Sequence, residues 1–333
     1  MKRRDFLAAG IGAAALPRLA GAQQAGKVYR LTIFHLGIPV ADMAPRGLPQ
    51  YQAFHAELSR LGYTEGRNLE VERVSAEGDD RQLSALARRI VMRNPHAIFA
   101  TSNRAIGAFA AATTTVPIVS LLVDPVGFGY AASLARPGRN ITGFSLDTGR
   151  ELVQKHLELL KQMQPALART AFLAPRATWD SHIGALYRAA AAASGIASLG
   201  AILESPVGDG EYRRVVAAAV RDGADSLYVI PAPENFAHRR VIAELAAAAR
   251  LPSLAVWREH AAAGGLVAHS LDFVDIYRRA AGYVAQVFGG ADPAAMPFQQ
   301  PTKFDLVVNL KAAKALGIAL PEGLLVAADG VIE

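Results

Sequence analysis

The 333-residue chain contains no cysteine. Disulfide bonds, cysteine-ligated metals and lipid attachment at a signal-peptide cysteine are therefore excluded. Its eight histidines are scattered, without the H-x-x-x-H or H-x-x-E-H spacing of a catalytic metal site. No apolar run approaches the roughly 20 residues that a membrane-spanning helix needs. We therefore expect no metal, no cofactor and no stable membrane insertion.

The first 22 residues have the pattern of a secretory signal peptide. Arg3 and Arg4 stand shortly before Phe6-Leu7, as in a twin-arginine translocation signal, and a short Ala- and Gly-rich apolar run follows. Ala20-Gly21-Ala22 supplies the small residues that a signal peptidase reads, so we expect cleavage after Ala22. The pattern predicts an exported, unlipidated protein of the periplasm; the alternative is an ordinary basic start of a cytosolic protein.

The charge balance gives no sign of a nucleic-acid partner. Residues 1–22 hold four of the 35 basic residues and one of the 29 acidic residues, so removing them lowers the net charge from +6 to +3. The remaining basic residues form no cluster, whereas proteins that bind nucleic acid concentrate them on one face.

Short apolar strands alternate with Ala-rich amphipathic helices, which predicts α/β architecture with parallel sheets. A first series of strands is predicted at 29–36, 69–74, 97–101, 117–123 and 141–146, with helices at 49–61, 80–93, 103–112 and 127–135. A second series follows, with strands at 170–174, 198–203, 226–230, 253–256 and 266–269 and helices at 180–194, 211–221, 235–249 and 273–288. A helix at 150–163 lies between the two series, and a strand at 304–309 and a helix at 310–316 end the pattern.

Two series of five strands are better explained by two doubly wound parallel-sheet lobes than by one growing sheet. We predict an N-terminal lobe of residues 27–146 plus 272–290 and a C-terminal lobe of residues 147–271 plus 291–333, joined by a multi-crossing hinge. The chain is expected to be a monomer.

Several segments resemble one group of ABC-transporter substrate-binding proteins. They are Asp124–Gly129 running into Ala132–Gly138 and Asn140–Gly143, and the tail from Gln300 to Lys311. The resemblance covers nearly the whole chain after the signal peptide. It implies the type I periplasmic binding protein fold, a small-molecule ligand held between closing lobes, and an ABC transporter permease as partner. The best understood members of this group resemble receptors for aromatic amino acids.

Candidate ligand residues in the first lobe follow from the rule that open parallel sheets bind ligands beyond the carboxyl ends of their strands. Ser102 and Asn103 begin a helix after the third strand, where free amides would suit a ligand carboxylate; Ser102 could equally be only the N-cap. Asp124 could pair with a ligand amino group or cap the helix predicted after it. Ser145, at the end of the fifth strand, could donate a hydrogen bond.

In the second lobe, both tryptophans of the chain follow strands at the ligand-binding end. Trp179 and Trp257 could each stack on a planar ligand or pack the lobe; packing is the favoured interpretation for Trp257. Glu234 and Asn235 occupy a corresponding position, with an N-cap pair as the alternative.

Two other functions remain open on sequence grounds. Gly127 to Ala132 fits the dinucleotide pattern G-x-G-x-x-A, which would suit an NAD-dependent enzyme. The pattern lies in the fourth strand–helix unit rather than the first, and Asp124-Pro125-Val126 separates it from the strand, so we expect no enzyme. A periplasmic ligand sensor for a signalling partner would have the same two lobes as an import receptor.

Overall fold

The computed structural model describes residues 26–146, 149–301 and 304–333. Arg3, Arg4 and the predicted cleavage site after Ala22 lie outside the described residues. Among the helices of the described residues, none has the length and apolar character needed to cross a bilayer.

The first sheet consists of five parallel strands in the order β2-β1-β3-β4-β5. Its strands are β1 (Tyr29–His35), β2 (Leu69–Ser75), β3 (Ala97–Thr101), β4 (Ile118–Leu122) and β5 (Ile141–Ser145). Every residue of β3, β4 and β5 is buried. Strands that are covered on both faces are buried in this way, so the predicted pattern and the observed sheet agree.

The second sheet has seven strands in the order β12-β11-β10-β9-β8-β6-β7. They are β6 (Arg169–Pro175), β7 (Ala197–Leu203), β8 (Ser226–Val229), β9 (Ser253–Ala255), β10 (Val267–Leu271), β11 (Phe304–Asn309) and β12 (Gly330–Ile332). The β10–β11 pair is antiparallel and the other pairs are parallel. The two sheets confirm the predicted α/β fold of two parallel-sheet lobes.

The helices of the first lobe are α1 (Pro49–Arg60), α2 (Leu83–Met92) and α3 (Asn103–Ala112). Those that follow in the chain are α4 (Gly149–Met163), α5 (Arg176–Trp179), α6 (His182–Ala193), α7 (Asp209–Arg221), α8 (Pro233–Ala237), α9 (Arg239–Ala248), α10 (Arg258–Ala262), α11 (Phe273–Phe288), α12 (Leu310–Leu316) and α13 (Glu322–Val326). The sequence did not predict the short elements α5, α10, α13 and β12.

The helix predicted at 127–135 is wrong. This segment consists of turns, in which the backbone N–H groups of Tyr130 and Ala131 both donate to the carbonyl of Pro125. Asp124 and Gly129 have φ angles of 47° and 72°, in the left-handed region that a helix cannot include. The single helix predicted at 235–249 is also interrupted: α8 ends at Ala237 and α9 begins at Arg239, with His238 between them.

The chain returns to the first lobe after β10. Helix α11 packs along α1, and the ring of Tyr277 lies 5.0 Å from that of Tyr51 and 5.3 Å from that of Phe99. Extended residues then run beside β5, where the amide of Ser145 donates to the carbonyl of Gln299 over 2.8 Å. The prediction that residues 291–333 all belong to the second lobe is therefore wrong up to Gln299, because the exposed edge of β5 offers that segment backbone partners.

Candidate ligand-binding site

A cavity of about 370 Å³ lies between the two lobes. The first lobe contributes residues from the carboxyl ends of β1, β3 and β4 and from the turn after β4. The second lobe contributes residues of α5 and of the loops that follow β8 and β9. Because β1, β3 and β4 are neighbours in one parallel sheet, their carboxyl ends meet at the same edge. The cavity therefore occupies the place that the parallel-sheet rule predicts.

Ser102 and Asn103 both line the cavity, as predicted for a ligand contact. The hydroxyl of Ser102 accepts a hydrogen bond from the amide of Ala105 over 3.2 Å, so Ser102 is also the N-cap of α3. The side-chain amide of Asn103 binds both the carbonyl and the N–H of Val123. Asn103 thus holds the end of β4 in place, and it is the backbone of this first helical turn that remains available to a ligand.

His35, at the end of β1, also lines the cavity and was not among the predicted site residues. Its Nδ1 accepts hydrogen bonds from the backbone N–H groups of Gly37 and Ile38, over 3.0 and 2.8 Å. Burial lowers the pKa of the imidazole to about 3, so the ring is neutral at physiological pH. The rule that selected Ser102 would have found His35 too, because His35 ends the neighbouring strand.

Arg104 crosses the space between the lobes. Its guanidinium forms an ion pair over 2.8 Å with Asp80 of the first lobe and a second ion pair with Glu234 of the second lobe. The Glu234 side chain is completely buried, and its Oε2 has no hydrogen-bond partner among the described residues. Asp80, Arg104 and Glu234 together carry a net charge of −1, and Arg104 is the one charged side chain among the described residues that line the cavity.

Glu234 and Asn235 do not form an N-cap pair, so that alternative is wrong. Both lie inside α8 and are fully buried. The side-chain amide of Asn235 donates to the carbonyls of Leu173 and Ile230 over 3.0 and 2.9 Å, and its oxygen accepts from the hydroxyl of Tyr212. These bonds satisfy Asn235 inside the second lobe, and it does not line the cavity.

Asp124 and Ser145 are also placed outside the cavity lining. One carboxylate oxygen of Asp124 accepts from the amide of Gly127 over 2.8 Å, which caps a turn and not the predicted helix. The other oxygen lies 2.8 Å from Nε2 of His182 in the second lobe, so Asp124 joins the lobes at the cavity rim. Ser145 is buried, and its backbone is paired with the extended segment beside β5.

The two tryptophans differ in position. Trp257 lines the cavity, with its ring 5.7 Å from that of Phe236, which lines the cavity as well. Trp179 does not line the cavity. It packs on the second lobe, 6.1 Å from the ring of Phe172 and beneath the guanidinium of Arg188 at 4.8 Å. Trp257 is 6% exposed and belongs to a buried apolar cluster, which agrees with the packing interpretation, and its place in the cavity lining keeps ligand contact open as a prediction. Trp179 lies outside the lining, so packing within the second lobe is the interpretation that its position favours.

Aromatic side chains supply much of the cavity wall. Those that line it are Phe128, Tyr130, Phe236, Trp257, Phe273 and Tyr277. A smaller, mainly apolar cavity of about 50 Å³ shares Leu146 and Phe273 with the large one and extends towards His269. Flat apolar walls with a few polar groups at one end are typical of sites for small organic molecules. Within the described part of the chain, no cluster of side chains could hold a metal ion.

Comparison with known proteins gives a consistent result. Residues 45–332 match the family described as ABC transporter substrate binding protein. A curated relative, the tyrosine-binding protein of Clostridioides difficile, is 23% identical over 281 residues, which cover 84% of this chain and 77% of the relative.

Solved structures also match most of the chain. A conserved domain protein from Vibrio cholerae has a TM-score of 0.82 at 25% identity, covering 92% of this chain and all of the other. A domain from Streptococcus pneumonia in complex with L-Trp has a TM-score of 0.79 at 21% identity, with the same coverage. These likenesses agree with the two-lobed fold, and the family match extends over most of both lobes, from residue 45 to residue 332. The chain belongs to the ABC transporter substrate binding protein family.

Proposed function

We propose that this protein is a periplasmic receptor that captures an amino acid with an aromatic side chain, or a similarly small metabolite, and delivers it to the permease of an ABC importer. The observation that carries the proposal is the cavity of about 370 Å³ whose walls come from both lobes and include six aromatic residues. The relatives point the same way, since one is named as tyrosine-binding and another was solved with L-Trp.

The polar groups around the cavity suit a ligand with a carboxylate. The first turn of α3, capped by Ser102, offers backbone N–H groups and the positive end of the helix dipole to a carboxylate. Arg104, the one charged side chain among the described residues that line the cavity, is cationic and favours a carboxylate as well. We infer that the ligand's charged end lies against the first lobe and that its side chain lies against Trp257 and Phe236.

Contacts that join the lobes support capture by closure. The Arg104–Glu234 and Asp124–His182 pairs both cross the cleft, and the ring of Phe128 lies 4.5 Å from that of His182. A ligand shifts an open–closed equilibrium only if it favours one state. A molecule that touches both walls favours the closed state, because its contacts with the second wall exist only after closure.

A binding assay tests the proposal directly. Isothermal titration with L-tryptophan, L-tyrosine and L-phenylalanine, with L-leucine as the aliphatic control, should show one-to-one binding of at least one aromatic amino acid. A ligand present at about 100 times its Kd should stabilise the fold by about 2.7 kcal/mol in a thermal unfolding assay. Mass spectrometry of the released ligand should find it unchanged; turnover of the ligand would contradict a receptor function.

Export forms a separate part of the proposal. The mature protein in the periplasmic fraction should begin at Gln23, and changing Arg3 and Arg4 together to Lys should leave precursor in the cytoplasm. N-terminal sequencing decides the first point and cell fractionation the second. An uncleaved Met1 in the periplasm would contradict the predicted signal peptide. Co-purification with its permease would identify the transport partner, and size-exclusion chromatography should find a monomer.

A further inference from the structure

The buried histidine at the end of β1 has one ring nitrogen fully engaged. Nδ1 of His35 accepts two backbone hydrogen bonds, from Gly37 and Ile38, so it carries no proton. A neutral imidazole with an accepting Nδ1 must carry its proton on Nε2. Nε2 is therefore a fixed donor, although no hydrogen-bond partner for it is found within the described residues.

A second polar group without a partner lies beside it. β1 and β3 pair in parallel with Phe34 opposite Ala100, which places His35 next to Thr101 on the neighbouring strand. Adjacent residues of paired strands point to the same face of a sheet. Thr101 is 7% exposed and lines the cavity, and its Oγ1 is a buried atom without a hydrogen-bond partner among the described residues. Nε2 of His35 is not one of these buried atoms, so of the two groups it is the donor that a ligand in the cavity can reach.

We propose that His35 is a specificity-determining residue whose Nε2–H donates a hydrogen bond to the carboxylate of the ligand. This inference rests on the proposed function. The carboxylate would lie between His35 and the first turn of α3, since β1 and β3 end side by side. A ligand that lacks an oxygen at this point would leave the Nε2–H donor unsatisfied, and a site of this kind discriminates strongly against such analogues.

The same histidine shapes the face on which the second lobe closes. The turn that His35 holds brings Gly37 against α8, where a Cβ on Gly37 would lie 3.5 Å from the carbonyl oxygen of Pro233 and 3.7 Å from the Cα of Glu234. One ring nitrogen thus orders the closing surface, and the other nitrogen donates to the ligand. The two roles can be separated, because each nitrogen has its own isosteric substitute.

Two variants separate the roles. In His35→Asn the side-chain oxygen can replace Nδ1 and keep the turn, but the Nε2–H donor is lost. In His35→Gln the side-chain NH₂ can replace Nε2–H, but the acceptor for Gly37 and Ile38 is lost. We expect His35→Asn to keep the thermal midpoint and to bind L-tryptophan about tenfold more weakly, the loss of one hydrogen bond to a charged group. His35→Gln should lower the midpoint and retain more of the affinity.

The ligand series supplies the readout that a purely structural role would not change. Affinity for tryptamine, which lacks the carboxylate, should be the same in wild type and His35→Asn, whereas affinity for L-tryptophan should fall. In ¹⁵N-labelled wild type, the Nε2–H resonance of His35 should shift with L-tryptophan and stay unchanged with tryptamine. This measurement needs no variant, so it decides the matter even if His35→Asn does not fold.

The outcomes distinguish this inference from the proposed function. If wild type binds L-tryptophan while the Nε2–H resonance stays in place and His35→Asn binds as tightly, the role of His35 is overturned and the receptor function stands. If His35→Asn loses tryptamine and L-tryptophan equally, His35 acts only through the fold. If wild type binds none of L-tryptophan, L-tyrosine and L-phenylalanine, both proposals fall.

Discussion

The two walls of the cavity differ in polarity. On the first lobe, Nε2 of His35 is a donor without a hydrogen-bond partner within the described residues, and α3 presents its first turn. On the second lobe, the hydroxyl of Ser181 is hydrogen-bonded within the lobe: it donates to the carbonyl of Thr178 and accepts from the amide of Ile183. The second wall therefore offers mainly apolar area.

This difference indicates a division of labour. In the proposed receptor, directional groups on the first lobe would fix the orientation of the ligand's charged end, while the flat surface of Trp257 and Phe236 would tolerate variation in the rest of the molecule. Rigid polar groups discriminate by the cost of leaving them unpaired, whereas apolar surface discriminates only weakly between similar shapes. Related receptors that share this fold could change ligands by altering the second wall alone.

The largest expected effect comes from breaking the ion pair that connects the walls. Arg104→Met leaves the carboxylate of Glu234 buried and unpaired, which typically costs about 3–5 kcal/mol. Because opening the cleft would hydrate that carboxylate, we expect the cost to appear as a shift towards the open state. Small-angle scattering should detect a larger radius of gyration, and urea titration should show any global loss.

An exposed ion pair provides the control for Arg104→Met. Arg60 pairs with Glu57 on α1, and its side chain is 68% exposed. Arg60→Met should change stability by less than about 1 kcal/mol and leave the radius of gyration unchanged. Equal effects of the two variants would contradict a special role for the Arg104–Glu234 pair.

The apolar wall is tested by the two tryptophans as a matched pair. Trp257→Ala should weaken binding of an aromatic amino acid by about 2 kcal/mol or more, roughly 30-fold, because it removes a flat buried contact. Trp179→Ala should leave affinity nearly unchanged and lower stability, since Trp179 packs within the second lobe.

Fluorescence of the two Trp→Phe variants compares the same two positions while keeping an aromatic ring at each. On ligand addition the emission should change in Trp179→Phe, which retains Trp257, and should stay constant in Trp257→Phe. The reverse result would place the ligand against Trp179 and contradict the wall assigned here.

Acid should weaken the fold through its buried histidines. Burial lowers the pKa of His35 to about 3 and that of His260 to about 4, from 6.5. The unfolded chain therefore binds these protons first, so the stability that the neutral rings contribute is complete above about pH 6.5 and is lost as the pH falls towards 3 to 4. Each such histidine contributes a slope of about 1.4 kcal/mol per pH unit in that range.

Removing one histidine should reduce the slope of stability against pH by the contribution of one proton, about 1.4 kcal/mol per pH unit. Urea unfolding of wild type and His35→Asn at pH 4.5, 5.5 and 6.5 measures it. A wild-type stability that does not change between pH 4.5 and 6.5 would contradict the neutral buried state.

The smallest effect is expected at the cavity rim. Asp124→Asn keeps an oxygen for the amide of Gly127 and removes the charge facing His182. Since both side chains are partly exposed, the change should weaken ligand binding by less than about 1 kcal/mol. A loss as large as that of Trp257→Ala would show that Asp124 contacts the ligand directly.

The sequence alone was sufficient for the architecture. Alternating strands and amphipathic helices predict parallel sheets covered by helices, and β3, β4 and β5 are buried along their whole length, as covered strands are. The rule that ligands bind at the carboxyl ends of strands was sufficient to find Ser102 and Asn103 in the cavity lining. It was not sufficient to say which direction a neighbouring side chain takes.

Only the tertiary structure decided which of several chemically similar residues line the cavity. Trp179 and Trp257 both follow strands, yet one packs under Arg188 and the other faces the cavity, because the elements around them differ. The helix predicted at 127–135 is replaced by turns, since left-handed residues and the cap of Asp124 reverse the chain locally. The ion pair of Arg104 with Glu234 joins residues 130 positions apart, and no local pattern encodes such a contact: it exists only because two separately folded lobes meet.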